Sequence, residues 1–399
     1  GPRIGFALDP FGNGKTAVRA GFGMVYEMRF RTWAEILNPP VQYTPTVYYG
    51  NLTTYLNSSG VLFPTATTSY NRKNLTPSTY NMSLGIQQNL GFGTVLGASY
   101  VGNLGRHVGV TRALNTVPYG AHFLAQNADP TNPSTPLADN FYRPYPGYAN
   151  ITYRDNASSS NYHSLQVTAN RHFGQGMQFG IAYTYSKTMD FGRSIPMFQD
   201  WRWWSYGLST SDQTHNVVIS YIYDLPKASK LTPNPVVRLA LDDWQVSGIT
   251  TIASGSPTGL TFTLVDGADL TGGGDGNRII VNGKAALERG ARSFYRWFDP
   301  TVFGRPAKGV VGNAGGYLFR GPGRNNWDIT LFKRIPLKSE SRFFQLRWEM
   351  YNAFNHTQYA GVDTTARFDA AGAQVNARLG QVTSARGNRV MQGSLRFTF

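Results

Sequence analysis

The nine residues Met391-Gln392-Gly393-Ser394-Leu395-Arg396-Phe397-Thr398-Phe399 alternate in polarity almost without a break. Met391, Leu395, Phe397 and Phe399 fall on one side of an extended chain; Gln392, Ser394, Arg396 and Thr398 fall on the other. Successive side chains of a strand point to opposite faces, so the pattern predicts a strand with one apolar and one polar side. Its length suits a tilted strand crossing hydrocarbon, which takes about 9–11 residues. A strand of a soluble sheet is the plainer alternative, because antiparallel sheets also alternate.

The same period recurs upstream. Ile4, Phe6 and Leu8 share a face, as do Val18, Ala20, Phe22, Met24 and Tyr26. Tyr80 to Ile86, Leu96 to Tyr100, Leu165 to Ala169, Phe179 to Tyr185 and Val217 to Tyr223 repeat the pattern, and Trp244, Val246 and Ile252 carry it more weakly. Trp327, Ile329 and Leu331, then Phe344, Leu346, Trp348 and Met350, complete it. About eleven strands result, with residues 376–384 available as a twelfth.

The links between them separate membrane from soluble. Short links at 10–15, 91–93, 173–176 and 336–341, with a longer one near 226–242, alternate with long segments. The long segments run roughly 28–77, 110–160, 189–212, 265–325 and 356–387, and read as structureless loops. Soluble domains rarely hold several loops of that length, whereas outer-membrane barrels place short turns inside and long loops outside. The expected fold is all-β: an antiparallel up-and-down transmembrane barrel occupying residues 1–399. Phe399 then faces the periplasm, and Leu395, Phe397 and Phe399 form the expected barrel-assembly signal, read by the assembly machinery.

Composition agrees. Aromatic residues make up 14% of the 399 and charged residues only 15%, a balance suited to half-exposed strands. No apolar run approaches the length of a transmembrane helix. The absence of cysteine excludes disulfides and thiolate metal sites. The formal charge of +15 is spread singly along the chain, which argues against nucleic acid and for a basic wall and loop surface attracting anionic solutes or lipopolysaccharide phosphates. The opening Gly1-Pro2-Arg3-Ile4 reads as mid-protein sequence, without a signal peptide.

Several short motifs carry a family resemblance: Pro2-Arg3-Ile4-Gly5-Phe6-Ala7 with residues 9–16, Tyr100-Val101-Gly102, Leu241-Asp242-Asp243-Trp244-Gln245, Gly321–Asp328, Asn352-Ala353-Phe354-Asn355-His356-Thr357, and the terminal strand. With these the chain resembles the C-terminal barrel of TonB-dependent outer-membrane receptors, in particular the Oar-like group with a carboxypeptidase-regulatory-like domain. The resemblance implies a barrel of roughly 22 strands, of which this chain holds about half, in the outer membrane of a Gram-negative bacterium. It also implies uptake or export of a large or scarce solute, with TonB reached only through an N-terminal plug region not found here. A self-contained passive porin or adhesin, and a soluble carbohydrate-binding protein, are the alternatives.

No reactive chemistry stands out. Gly12-Asn13-Gly14-Lys15-Thr16 lacks the first glycine of a phosphate-binding loop, Asp9 standing there, and Asn13-Gly14 reads as a hairpin turn. Thr271–Asn277, with Asp266, Asp269 and Asp275, offers oxygen ligands for calcium, or is plain loop. Trp201, Arg202, Trp203, Trp204 and Tyr206 are candidates to stack on a ligand and pair an anionic group, or else pack over the barrel mouth. His163-Ser164 and His215 with Asp212 suggest a hydrolase only superficially, because neighbours on a strand face apart. No enzyme activity and no cofactor are expected. Arg19, Arg347, Glu349 and Arg396 lie on polar faces and are expected as wall charges.

Overall fold

The computed structural model describes residues 1–27, 53, 65–174, 176–191, 205–231, 234–274, 276–337 and 342–399. Eleven strands follow one another in a single antiparallel path. They are β1 (Arg3–Leu8), β2 (Thr16–Tyr26), β3 (Ser78–Gly91), β4 (Thr94–Ala113), β5 (Tyr148–Gly174) and β6 (Met177–Asp190). Then come β7 (His215–Asp224), β8 (Trp244–Ala253), β9 (Arg324–Pro336), β10 (Phe343–Tyr351) and β11 (Val390–Thr398). Each pairs with its sequence neighbours, giving an up-and-down wall; among the described residues β1 and β11 do not pair with each other.

The register keeps one apolar face continuous. Across β1 to β5, Leu8, Val18, Ile86, Ala98 and Val167 stand side by side, as do Phe6, Ala20, Leu84, Tyr100 and Leu165. Farther along, Tyr183 opposes Val217 and Val217 opposes Ile252, while Val246 opposes Leu331 and Leu331 opposes Trp348. Ile4, Phe6, Leu84, Leu165, Trp348, Leu395 and Phe397 on this face are exposed. Large apolar groups turned outward in this number are the mark of a wall solvated by lipid.

Tyrosines on this face lie over glycines, Tyr100 over Gly102 of its own strand and Tyr221 over Gly248 of the neighbouring one. A Cβ on Gly102 would sit 2.7 Å from the Tyr100 hydroxyl, and one on Gly248 2.6 Å from that of Tyr221 and 2.5 Å from the Asp328 carbonyl. The absent side chain makes room for the ring, which explains Tyr100-Val101-Gly102.

The opposite face is mostly polar. Arg347 and Glu349 pair at 2.7 Å, Gln392 donates to Glu349, and Arg19 donates to Gln87 across the β2–β3 pair. Arg396 opposes Gln345. These are the expected wall charges. Sequence alternation alone did not show that β7 to β9 also carry Val218, Ile222, Ile249 and Phe332 on this face, opposite Thr251, Ser247, Asp328 and Arg347 respectively.

The short links are built as turns. Asp9 accepts from the amides of Phe11, Gly12 and Gly14 at 3.2, 3.0 and 2.7 Å, so a carboxylate shapes the turn. The β7–β8 link contains the helix α1 (Pro235–Leu241), capped by Asn234, and closes on Leu241–Gln245. Asp242 there accepts from Ser229, and its carbonyl accepts from Lys333, whose ammonium lies 5.1 Å from the Trp244 ring.

The long segments are not structureless. β4 and β5 continue past the wall to Ala113 and back to Tyr148, pairing Thr111 with Arg154, and Thr65–Tyr70 adds a parallel strand beside β5. Beyond β8 and β10, four small pairings tie residues 257–320 and 359–385 together, including the parallel pair Thr261–Leu264 with Thr365–Phe368. Val382–Ala385 pairs with Tyr359–Val362, so residues 376–384 add no twelfth strand to the wall.

Replacing Gly248 by alanine forces its Cβ against Tyr221 and the Asp328 carbonyl. The expected loss is about 1–3 kcal/mol, read as a lowered midpoint of urea unfolding in lipid vesicles. Gly207→Ala, where an added Cβ meets nothing within 4 Å, serves to show how much of the change is generic.

Candidate functional site: the folded cap at the long-loop end

Among the described residues, every buried hydrophobic side chain lies in the long-loop segments or on the outer extension of β5. The wall turns most of its large apolar groups to the outside. The loops, bathed in water, follow the ordinary rule and bury theirs. Ile279, Phe298, Phe303, Phe319, Ala366, Phe368 and Leu379 form one core. Phe298 stacks on Phe319 at 4.3 Å between ring centres and meets Phe303 edge-on at 5.8 Å. Burial of three phenylalanines at 0–2% exposure contributes about 1.5–3 kcal/mol apiece, enough to hold loops as a rigid cap.

A buried ion pair fastens the cap to the wall. Asp212, on the segment joining β6 to β7, has no solvent exposure. It accepts from Arg320 at 2.5 Å and from the Thr188 amide at 2.6 Å. Arg320 also donates to the Gly255 carbonyl at 3.0 Å, and its own carbonyl accepts from the Trp297 indole at 2.9 Å. The β6–β7 and β8–β9 loops therefore meet each other and the wall strand β6 at one carboxylate.

The calcium candidates have other partners. Asp266 pairs with Arg305 at 2.8 Å. Asp269 accepts from the amides of Thr271 and Gly272 and lies 3.4 Å from His122. The glycines serve close approach: a Cβ on Gly272 would meet the Gly120 backbone at 2.7 Å, and one on Gly273 the His122 ring at 2.5 Å. The Gly-rich stretch is thus where the β4–β5 loop docks, with Gly120 donating to the Thr271 carbonyl at 2.7 Å. Asp275 lies outside the described residues.

Trp201, Arg202, Trp203 and Trp204 also lie outside the described residues. Tyr206 is described; it packs on Phe191 at 5.0 Å and accepts from Asn161, at the foot of its loop. Leu395, Phe397 and Phe399 are exposed, at 66, 46 and 91%, on the apolar face of β11. The histidines form no nucleophile pair: His163 bonds the Tyr100 hydroxyl at 2.7 Å and His215 that of Tyr183 at 2.9 Å, while Asp212 is engaged by Arg320.

On the polar face, a groove of about 490 Å³ runs beneath the cap across β7 to β10. Ser220, Ile222, Ile249, Asp328, Arg347 and Glu349 line it. It combines an apolar floor with charges of both signs. Sequence reading missed it because its members come from four strands and one inward-facing set breaks the alternation.

Two predictions follow from the cap. Asp212→Ala leaves Arg320 without its partner and should destabilise the cap by about 3–5 kcal/mol, measured as faster proteolysis within residues 254–323 while the wall stays protected. The hydrogen bond from Arg305 holds the Asp266 carboxyl below the usual carboxylate range. A folded value below the unfolded one of about 3.9 stabilises above that pH, and the contribution disappears as pH falls through the folded value. Proteolysis of the cap should therefore accelerate below about pH 4, and Asp266→Asn should reduce that acceleration.

A search of curated proteins returned no match. Among solved structures, the outer membrane transporter YddB from Escherichia coli aligns at 10% identity over 98% of this chain and 40% of its own, with a TM-score of 0.42. BauA, the ferric preacinetobactin receptor from Acinetobacter baumannii, aligns at 10% identity over 100% of this chain and 36% of its own, with a TM-score of 0.44. The FrpB iron transporter from Neisseria meningitidis aligns at 13% identity over 99% and 39%, with a TM-score of 0.41. The chain thus spans at most 40% of the length of these structures. The sequence profile of the outer membrane beta barrel domain matches residues 1–392. The continuous lipid-facing wall, the short turns at one end and this match together show that the chain belongs to the outer membrane beta barrel domain family, in the outer membrane of a Gram-negative bacterium.

Proposed function

We propose that this chain is the C-terminal part of the barrel of a TonB-dependent transporter, of the Oar-like group, which captures a large or scarce solute with its outer loops and passes it, inward or outward, through a plug-gated lumen. The observation that carries the reading is the cap: loops with their own aromatic core, pinned to the wall by Asp212 and Arg320. Binding residues are held best by loops fixed on a rigid scaffold, and such a cap stands over a net basic wall. Trp201, Arg202, Trp203, Trp204 and Tyr206 remain the residues proposed to touch the solute.

Two further features support a larger barrel around a plug. Unpaired N–H and C=O groups cannot be left in hydrocarbon, so the outer edges of β1 and β11, which pair with no further strand among the described residues, call for additional strands. The groove on the polar face, with Arg347, Glu349 and Asp328 beside Ile222 and Ile249, has the mixed character of a surface that packs against protein. TonB enters this reading only through that plug region, and the exposed Leu395, Phe397 and Phe399 are proposed as the element recognised during barrel assembly. No enzymatic step is involved.

The test uses the full-length gene product in its host. Accumulation of the transported solute should stop when a protonophore collapses the inner-membrane gradient, and should stop equally when the inner-membrane energy-coupling protein is deleted. Passage that continues unchanged under both treatments would make the barrel a passive channel and overturn the proposal.

A further inference from the structure

At the outer rim, where β10 ends and β11 begins, lies a polar pocket of about 490 Å³ that the transport reading does not use. Asn352, Asn355, His356, Arg386, Asn388 and Arg389 line it, and no carboxylate does among the described residues. Its frame is fixed. The amide of Asn352 donates to Asp328 at 2.9 Å, behind the pocket, and its Nδ2 faces the Gly387 carbonyl at 3.4 Å. Arg389 is held by its amide on Asn355 Oδ1 at 3.2 Å and by its guanidinium on the Ala353 carbonyl at 3.4 Å. The Arg386 amide donates to the Gln358 carbonyl at 2.7 Å.

Two polar atoms at this pocket are buried and have no partner: Asn352 Oδ1 and His356 Nε2. Asn352 itself is only 7% exposed. A buried polar group left unmatched is costly, and a bound ligand is one way to match it. The unmatched set has a chemical sense. Two guanidiniums provide planar donor forks suited to phosphate oxygens. His356 Nε2 donates when it carries the ring proton, and the Asn352 oxygen accepts from a hydroxyl. The position adds a constraint, because Met391, the first lipid-facing residue of β11, also lines the pocket. The pocket therefore sits where the apolar band gives way to water.

We propose that this pocket binds a phosphate group carried by a hydroxyl-bearing sugar, with Arg386 and Arg389 on the phosphate and Asn352 accepting from a neighbouring hydroxyl. A phosphorylated sugar comes either from the headgroup of lipopolysaccharide or free in solution, and the chemistry is shared. The proposal stands apart from solute transport and does not rest on it.

The test uses the full chain, its fold checked by heat-modifiable gel shift. In one arm glucose 1-phosphate is titrated by calorimetry against protein in zwitterionic detergent, with glucose as control. In the other, nanodiscs containing lipopolysaccharide, intact or dephosphorylated, are assayed for lipopolysaccharide retained on the purified protein. Binding in either arm, weakened about tenfold to a hundredfold by R386Q or R389Q and less by R386K or R389K, supports the site, and the arm that responds identifies the source. Salt should weaken wild-type binding more steeply than that of the R386Q/R389Q double variant. Both Arg side chains are exposed, so the gel shift should stay unchanged. Absence of binding in both arms, or equal binding by the double variant, would overturn the proposal.

Discussion

A backbone in hydrocarbon finds no water to bond, so every N–H and C=O of the wall must be matched by a neighbouring strand. That requirement fixes the register, and the register fixes everything else. A slip of one residue between any two strands would turn the apolar set of one inward. Across the eleven strands the pairing keeps Val18, Ile86, Val167, Tyr183, Ile252, Leu331 and Leu395 on one face. Tyr221 of β7 reinforces it by lying over Gly248 of β8, since only glycine there leaves room for a ring from the strand beside it.

With apolar groups committed outward, the protein has its hydrophobic core elsewhere. Water returns beyond the outer rim, and there the chain collapses around Phe298, Phe319 and Phe368. Two physically different solvents thus act on one chain, and the cap behaves as a small globular layer built from the loops. Its attachment is polar, through Asp212 and Arg320, while Arg112 and Asp155 at 2.5 Å join the extensions of β4 and β5 to each other. Such pairs specify position more than they add stability.

The wall was legible in the sequence because a period of two is a local signal. Residues such as Phe179, Ile181, Tyr183 and Tyr185 announce their face within seven positions, and strand count and direction followed. The cap was not legible. Its core joins Ile279, Phe319 and Ala366, far apart in sequence, and its strands are two to five residues long, too short for a periodic pattern. The Gly-rich run at 271–274 illustrates the difficulty: read alone it allowed a calcium loop or a plain loop, and only the approach of Gly120 and His122 accounts for its glycines. The rim pocket was hidden for the same reason, since Asn352 and Arg389 meet across a long connection.

Of the motifs that carried the family resemblance, residues 9–16, Leu241–Gln245, Gly321–Asp328 and Asn352–Thr357 occupy places where the wall stops, whereas Pro2–Ala7, Tyr100–Gly102 and the terminal strand lie within it. Asp9 shapes the first turn, and Asp242 and Trp244 close the β7–β8 link with Lys333. Gly321–Asp328 and Asn352–Thr357 meet at the outer rim. There Asp328 accepts from the Asn326 side chain and the Asn352 amide, Gln358 accepts from the Asn325 amide and donates to Asn326 Oδ1, and the Ala353 amide donates to the Trp327 carbonyl at 2.8 Å. Asn352 and Asn355 both take left-handed backbone, with φ of 52° and 50°, which asparagine tolerates better than most residues. A strand inside the membrane can be almost any alternating sequence, whereas its end needs particular hydrogen-bonding groups to hand the ladder over to water. The rims therefore ask for particular polar groups where most of the wall asks only for alternation, and the rims are where a polar pocket can form.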